Sequence, residues 1–304
     1  MQNRDHMNNR IKLYIQRLNL QHAMFSQIEH EDTIVAIVYK ITLPSGEELV
    51  LKICTRPAHY FCEFYFLKYF AGILPVPRII DAVVPEAGLH GAILMDYLPG
   101  TLLKISDLTE NLVFEAGSLL ATIHSNKTAG YGDLTHPHDI SNHPAVPFTR
   151  KFEEGINECS QHLTSALLKQ SRSYYDAHID HLTSVDGPCM THRDFRPGNV
   201  IVNEDKIMGI IDWAGARGGF AEEDFCPLEF GEWSVNRNIR QSFLNGYSSI
   251  RPVPDYHNVM PLLRLSRAIA TIGFTVKSGT WNTRDASLYQ RNRAFLDEFL
   301  IKPF

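Results

Sequence analysis

The stretch that decides the fold covers Thr191–Asp212 and reads THRDFRPGNVIVNEDKIMGIID. It begins with a polar and charged loop, which lies between two apolar runs. Two short β-rich segments follow, separated by the polar residues 203–206. Apolar segments of this length on either side of a polar turn are typical of a β-hairpin. We therefore expect a loop of polar side chains that leads directly into a hairpin.

The pairing of this hairpin predicts which side chains meet. If Val202 pairs with Ile207 across the turn, Asn199 falls opposite Ile210, within two residues of Asp212. Paired strands of a hairpin run antiparallel, so these positions lie at the same end. The hairpin therefore brings an amide and a carboxylate together where the polar loop enters it.

Phosphoryl transfer needs the groups that this segment supplies. A metal that binds phosphates requires hard oxygen ligands, which Asn199 and Asp212 provide. A separate carboxylate has to accept or orient the proton of the attacking hydroxyl, and Asp194 on the loop is the candidate. The spacing H-R-D-x-x-x-x-N, with a further Asp 18 residues after the first, is a kinase pattern. The alternative is that His192, Asp194 and Asn199 only cap a turn, and the complete pattern argues against it.

A cation for the phosphates is expected from the first part of the chain. Lys52 lies in the apolar, strand-like segment LVLKIC. Glu63 lies on the apolar face of a helix predicted from Pro57 to about Gly72, where a carboxylate is costly unless it is paired. Pairing with Glu63 would fix Lys52 for the phosphates of a nucleotide. The alternative is an edge-strand lysine that points to water.

A change in composition near residues 96–100 predicts a division of the chain. Residues 1–97 are expected to form a β-rich, nucleotide-binding lobe, and residues 98–304 a mainly helical lobe that carries catalysis and binds the acceptor. The strand that leads into this boundary exposes backbone groups that can pair with an adenine edge. We predict the Asp96 carbonyl and the Leu98 N–H for this contact, with a plain connector as the alternative. Helices are predicted near residues 112–123, 151–177, 256–276 and 284–301.

Together these segments resemble the aminoglycoside phosphotransferase and choline kinase-like family. The matching stretches are LVLKI, ILMDYLPG, LLATIHS, THRDFRPGNVIV and GIIDW. The resemblance covers nearly the whole chain and implies an α+β, bilobal protein-kinase-like fold. It also implies ATP and Mg²⁺ as cofactors and transfer of the γ-phosphoryl group to a hydroxyl of a small molecule. The implied roles are Asp194 as base, Asn199 and Asp212 as magnesium ligands, and Lys52 as the phosphate lysine held by Glu63.

Three departures from the expected pattern leave other functions open. The segment EDTIVAIV, residues 31–38, has no glycine where a phosphate-covering loop is expected, so the Thr33 hydroxyl is a candidate to assist. Position 193 is Arg, where small-molecule kinases more often have Gly. The metal strand ends in Ile-Asp-Trp in place of Asp-Phe-Gly, which argues against an ordinary protein kinase. Phosphorylation of a protein and a degenerate nucleotide-binding module are therefore kept as alternatives.

Composition limits the partners and the compartment. The formal net charge is −5 over 304 residues, which argues against a general nucleic-acid binder. The acidic residues 222–224 either line a pocket for a cationic acceptor or serve as a structural stretch. Five scattered cysteines without a CxxC pair argue against a disulfide framework or a zinc site and favour a cytoplasmic setting. Because no signal peptide and no long apolar run is found, no membrane contact is expected.

Overall fold

The computed structural model of the chain describes residues 11–28 and 36–301. Contacts divide the chain into two compact units, and each unit is formed by three segments. The first contains Met1–Leu120, His192–Ala216 and Gly231–Ser249, and the second contains Ala121–Thr191, Arg217–Phe230 and Ile250–Phe304. The boundary between lobes at residues 97 and 98 stays a prediction.

The first unit contains a five-stranded antiparallel sheet with strand order β1-β2-β3-β5-β4. Its strands are β1 Met24–Ile28, β2 Ala36–Thr42, β3 Glu48–Cys54, β4 Ile79–Val83 and β5 Gly91–Asp96. Alternation along β2 and β3 places Ile41, Leu49 and Leu51 on one buried face. Tyr14 lies in the helical residues 11–17, here called α1, and joins the same apolar cluster. Lys52 lies on the opposite face of the sheet because it alternates with Leu51.

Helix α2, Pro57–Phe70, follows the sheet strand that carries Lys52. It begins with a proline, whose fixed φ suits the first turn of a helix. The predicted face is present, since Tyr60, Glu63, Leu67 and Phe70 are all buried. The helix ends at Phe70, two residues before Gly72, which has a left-handed backbone with φ of 79°. Glycine adopts this conformation without steric cost, so it marks the turn after the helix.

The predicted hairpin is formed by β8, Val200–Asn203, and β9, Lys206–Ile210, with β6, Thr101–Leu102, paired on the other side of β8. Val202 pairs with Ile207, as predicted. A bulge between Ile201 and Val202 then shifts the pairing by one residue, so that Val200 lies opposite Ile210. The predicted position of Asn199 opposite Ile210 is therefore wrong by one residue. An extra residue in one strand moves its neighbours along the partner, and here it moves Asn199 towards Asp212.

Most of the chain after residue 100 is helical, as the sequence predicts. The helices are α3 Glu110–His124, α4 Ala145–Cys159, α5 Ser165–His178, α6 Cys226–Glu229, α7 Arg237–Ser248, α8 Met260–Lys277 and α9 Ala286–Ile301, and the remaining short strands are β7 Cys189–Thr191 and β10 Arg217–Gly219. The prediction of a single helix over residues 151–177 is wrong, because α4 and α5 are two separate helices in this region. Thr164 caps α5 by accepting a hydrogen bond from the Leu167 N–H, at 3.3 Å. Within the described ranges, no helix is long and apolar enough to span a bilayer.

Candidate active site

Lys52 is the centre of a cluster of charges in the first unit, in which Glu63 is buried and the side chain of Asp212 is 40% exposed. Its Nζ lies 2.7 Å from Oε2 of Glu63 and 2.8 Å from Oδ1 of Asp212. The side chain of Glu63 is only 2% exposed, and that of Lys52 is 12% exposed. The structure thus brings the predicted lysine together with both its predicted partner and the predicted metal-ligand carboxylate. A strand, a helix and the end of a hairpin each supply one of the three groups.

The charges of this cluster stabilise one another. Burial alone would lower the pKa of Lys52, but the carboxylates of Glu63 and Asp212 outweigh it and raise that pKa above its ordinary value. Burial raises the pKa of Glu63, and the neighbouring ammonium counteracts this effect. The Lys52 ammonium also holds the pKa of Asp212 below its usual range. Lys52 is therefore cationic and Asp212 is ionised at neutral pH.

Helix α2 is held against the end of the hairpin by Trp213. The indole ring stacks on Phe66 with a centroid distance of 5.9 Å, and Phe70 lies 5.0 Å away on the same helix. The thiol of Cys62 lies 3.2 Å from the Trp213 carbonyl oxygen and 3.0 Å from that of Ala216. These contacts fix the residue before Glu63 and the residue after Asp212. The sequence analysis did not predict these contacts, because Trp213 lies far from helix α2 in the chain and no local pattern links the two.

His192 connects the polar loop to the same end of the hairpin. Its fully buried ring places Nε2 3.1 Å from the carbonyl oxygen of Ile211. The backbone N–H of Asp194 lies 3.4 Å from Nδ1, so we assign Nε2 as the donor and Nδ1 as the acceptor. Arg193 and Asp212 both have a left-handed backbone, with φ of 67° and 65°. Non-glycine residues in this region are strained, and such strain is concentrated at functional sites.

The carboxylate of Asp194 is held from within its own loop. The Asn199 Nδ2 donates to the Asp194 carbonyl and to its Oδ2, both at 2.8 Å. Arg196 also donates to Oδ2 from Nε, at 3.2 Å. Sequence reasoning identified Asp194 and Asn199 but missed Arg196. The available signal was a cation two residues after the predicted base and directly before a proline.

Asp96 and Leu98 lie farther along the sheet than the charged cluster. Asp96 pairs with Leu49 across β3 and β5, three residues from Lys52 and thus about 10 Å away along the strand. The Asp96 carboxylate accepts from the Arg78 guanidinium at 3.2 Å and 3.3 Å. The side chain of Leu98 lies over Gly209 of β9, where any added Cβ would overlap it. The predicted adenine contacts of these two residues stay a prediction.

The acidic residues 222–224 are buried within the second unit, and each carboxylate has a partner there. The pairs are Glu222 with the Asp186 N–H, Glu223 with Arg217, and Asp224 with His124. These contacts support the structural interpretation of the acidic stretch. The predicted assisting role of Thr33, with residues 31–35 around it, lies outside the described residues.

Comparison with protein families explains why these groups occur together. A model of the phosphotransferase enzyme family matches residues 33–262, well over half of the chain. The chain belongs to the phosphotransferase enzyme family. Members of this family are ATP-dependent small-molecule phosphotransferases, so the chain is an enzyme of the kinase type. A search of curated proteins gives no match to this phosphotransferase.

Solved structures show that the phosphotransferase has the expected kinase-like fold. A thermostable mutant of aminoglycoside phosphotransferase APH(4)-Ia, in ternary complex with ADP and hygromycin B, superposes with a TM-score of 0.67 at 14% identity, covering 94% of this chain and 97% of that chain. Amicoumacin kinase hAmiN, in complex with AMP-PNP, Ca²⁺ and Ami, gives 0.67 at 14% identity over 96% and 95%. The macrolide 2'-phosphotransferase MphH from Brachybacterium faecium gives 0.61 at 17% identity over 89% and 94%. The predicted α+β fold, with a β-rich N-terminal part and a helical C-terminal part, is thereby confirmed.

Proposed function

We propose that this phosphotransferase transfers the γ-phosphoryl group of ATP to a hydroxyl group of a small molecule, with Asp194 as the catalytic base. The observation that carries the proposal is the position of Lys52 between Glu63 and Asp212, at 2.7 Å and 2.8 Å. Phosphoryl transfer depends on positioning the phosphates and neutralising their charge. A buried lysine held by one carboxylate, beside a second carboxylate that can bind a metal, provides both.

Asp194 accepts or orients the proton of the attacking hydroxyl. A base must reach that proton within hydrogen-bond distance, so its orientation matters more than its strength. Two bonds to Oδ2, from Asn199 and Arg196, fix the carboxylate within its loop. The side chain of Asp194 keeps 38% of its surface exposed, which leaves it accessible to an acceptor.

Asn199 and Asp212 are the residues that would hold Mg²⁺. Both offer hard oxygen atoms, and the amide nitrogen of Asn199 is directed to Asp194, which leaves its oxygen for a metal. In the part of the chain that the structure describes, no group of three or more His, Cys, Asp or Glu side chains could bind a metal alone. This donor set fits Mg²⁺, which usually takes one or two protein ligands and completes its shell with phosphates and water. When bound, Mg²⁺ neutralises charge on the phosphates.

Lys52, held by Glu63, binds the α- and β-phosphates of the nucleotide. At the end of β5, the Asp96 carbonyl and the Leu98 N–H pair with the adenine edge. The structures of similar proteins with ADP and AMP-PNP support the binding of a nucleotide by this chain. The contact of Leu98 with Gly209 would connect the adenine position with strand β9, which Asp212 follows by two residues.

The acceptor is a small molecule that carries a free hydroxyl. Similar structures contain hygromycin B, gentamicin or Ami, which supports hydroxyl-rich natural products as the first candidates. The carboxylates of residues 222–224 are engaged within their own unit, so they give no support to a cationic acceptor. The enzyme is proposed to act in the cytoplasm, because all five cysteines are free thiols.

The test is ATP consumption in the presence of Mg²⁺ across a panel of aminoglycosides, macrolides, amino alcohols and sugars. Asp194→Ala should abolish turnover with any acceptor found and leave ATP binding largely intact. Asp205→Ala is the matched control, because Asp205 is a hairpin carboxylate that accepts from Thr109 at 2.7 Å, away from the base. Near-wild-type ATP consumption by Asp194→Ala would show that the assignment is wrong.

A further inference from the structure

Arg196 forms the least expected contact of the catalytic loop. Its Nε–H donates to Asp194 Oδ2 at 3.2 Å, and the same oxygen accepts from the Asn199 amide at 2.8 Å. Arg196 and Asn199, which lie two and five residues after Asp194, therefore both donate to the same oxygen of the proposed base. Charge-assisted bonds of this kind restrict both the position and the plane of a carboxylate.

The local sequence directs the Arg196 side chain towards Asp194. Pro197 disfavours a helical conformation at the residue before it, and Arg196 is extended, with φ of −134° and ψ of 160°. Gly198 leaves space for the guanidinium, since a Cβ there would lie 2.5 Å from Nη1 of Arg196. The tripeptide Arg-Pro-Gly thus favours the contact in two ways. Pro197 restricts the backbone of Arg196, and Gly198 has no side chain that would occupy the space of the guanidinium.

The ion pair between Arg196 and Asp194 lies within reach of solvent. The side chain of Arg196 is 24% exposed and that of Asp194 is 38% exposed.

We propose that Arg196 is a positioning residue of the phosphoryl transfer, which together with Asn199 fixes Asp194 by its Oδ2 atom so that the carboxylate is correctly oriented for the incoming hydroxyl. This inference rests on the proposed function, because it assigns to Arg196 a role in presenting the base. A partly exposed ion pair contributes little to stability, so the main effect of the contact is on catalysis. Residues that orient a reacting group typically affect the rate about 10- to 100-fold.

The experiment measures steady-state ATP turnover with Mg²⁺, using water as the acceptor where no other is known, for wild type, Arg196→Ala and Arg196→Lys. We expect kcat to fall about 10- to 100-fold in Arg196→Ala while the KM for ATP stays unchanged. Free guanidinium added to Arg196→Ala should restore part of kcat. The kcat of Arg196→Lys should lie between those of the wild type and Arg196→Ala. A lysine keeps the charge but not the planar geometry.

Arg293→Ala is the matched control. Arg293 donates from Nε to Asp297 Oδ2 at 3.2 Å and is 29% exposed, so it forms the same type of ion pair on helix α9. This variant should keep wild-type kcat and should not respond to guanidinium. Wild-type kcat in Arg196→Ala, or a lowered kcat that guanidinium does not restore, would overturn the inference. An absence of ATP turnover in the wild type with every acceptor of the panel would instead refute the proposed function.

Discussion

Lys52 and Asp212 are 160 residues apart in the sequence, yet their side chains meet at 2.8 Å. The lysine comes from the middle of strand β3, and the aspartate follows strand β9 with a left-handed backbone. This one contact links the phosphate-binding and the metal-binding parts of the proposed site within a single compact unit. It also explains why the cluster should respond to mutation as a unit.

The first prediction concerns the buried ion pair. Lys52→Met removes the cation and leaves Glu63 buried without its partner, which should lower the free energy of unfolding by about 3 kcal/mol. Adding Glu63→Gln removes the buried charge, so the double variant should regain most of this stability while ATP turnover stays lost. Urea unfolding and ATP turnover of the single and double variants measure both effects. Equal instability of the single and double variants would contradict the assigned pair.

The second prediction concerns the contact between Leu98 and Gly209. Gly209→Ala adds a Cβ that overlaps Leu98, so this residue must move, at a cost of about 1–3 kcal/mol. If Leu98 forms part of the adenine position, the Kd for ATP should rise in Gly209→Ala and recover in part when Leu98→Ala is added. Calorimetric titration with an ATP analogue gives these affinities. Unchanged affinity in a folded Gly209→Ala would place the adenine elsewhere.

A third prediction separates the two functions of Asn199. Asn199→Asp keeps an oxygen ligand for Mg²⁺ but removes the amide that donates to Asp194 at 2.8 Å. Two carboxylates at this distance repel, so kcat should fall about 100-fold, while the Mg²⁺ dependence should not weaken. A titration of ATP turnover with Mg²⁺ measures both quantities. A strong loss of Mg²⁺ affinity with little change in kcat would assign Asn199 to the metal alone.

The fourth prediction concerns stability and pH in the second unit. Burial, the largest cause, raises the pKa of Glu222 to about 7 from an ordinary value of 4.5. Between these values the folded chain holds a proton that the unfolded chain has lost, so stability falls as the pH rises through 7. Between about pH 5 and pH 8, the wild type should lose on the order of 1–3 kcal/mol relative to Glu222→Gln, which cannot titrate.

Thermal unfolding across this pH range measures the difference between the wild type and Glu222→Gln. Glu154→Gln is the control, because Glu154 is half exposed and pairs with Lys151 on the same helix. The control should follow the pH dependence of the wild type. Identical pH curves for wild type and Glu222→Gln would show that Glu222 titrates at its ordinary pKa.

Local patterns predicted those parts of the fold and the site that depend on neighbouring residues. The apolar face of α2 identified Glu63 as a buried carboxylate that needs a partner, and Lys52 is that partner. The hairpin turn set the pairing of Val202 with Ile207. The bulge beside that pair was not predicted, although a local signal was available: Gly209 pairs with Ile201 directly next to the extra residue Met208, and a glycine inside a strand often marks a bulge. Alternation of apolar residues gives the pairing only where it is regular.

Contacts between distant segments were the main omissions. Neither the approach of Asp212 to Lys52 nor the stacking of Trp213 on Phe66 follows from periodicity. Such contacts depend on how a helix packs against a hairpin, which a single sequence specifies only through the sum of many weak interactions. The break between α4 and α5 was missed although its signal is local. Its capping residue, Thr164, is a local signal that the long apolar periodicity concealed.

The five cysteines make this enzyme suitable for site-specific labelling. All five side chains are buried. Burial, as the first cause, raises the pKa of the thiols at Cys54, Cys159, Cys189 and Cys226 to about 12, so these four stay protonated near neutral pH. Thiolates are the species that react with maleimides. A single cysteine introduced on the surface would therefore be the preferred attachment point for a fluorophore or spin label, and the native thiols would not have to be removed.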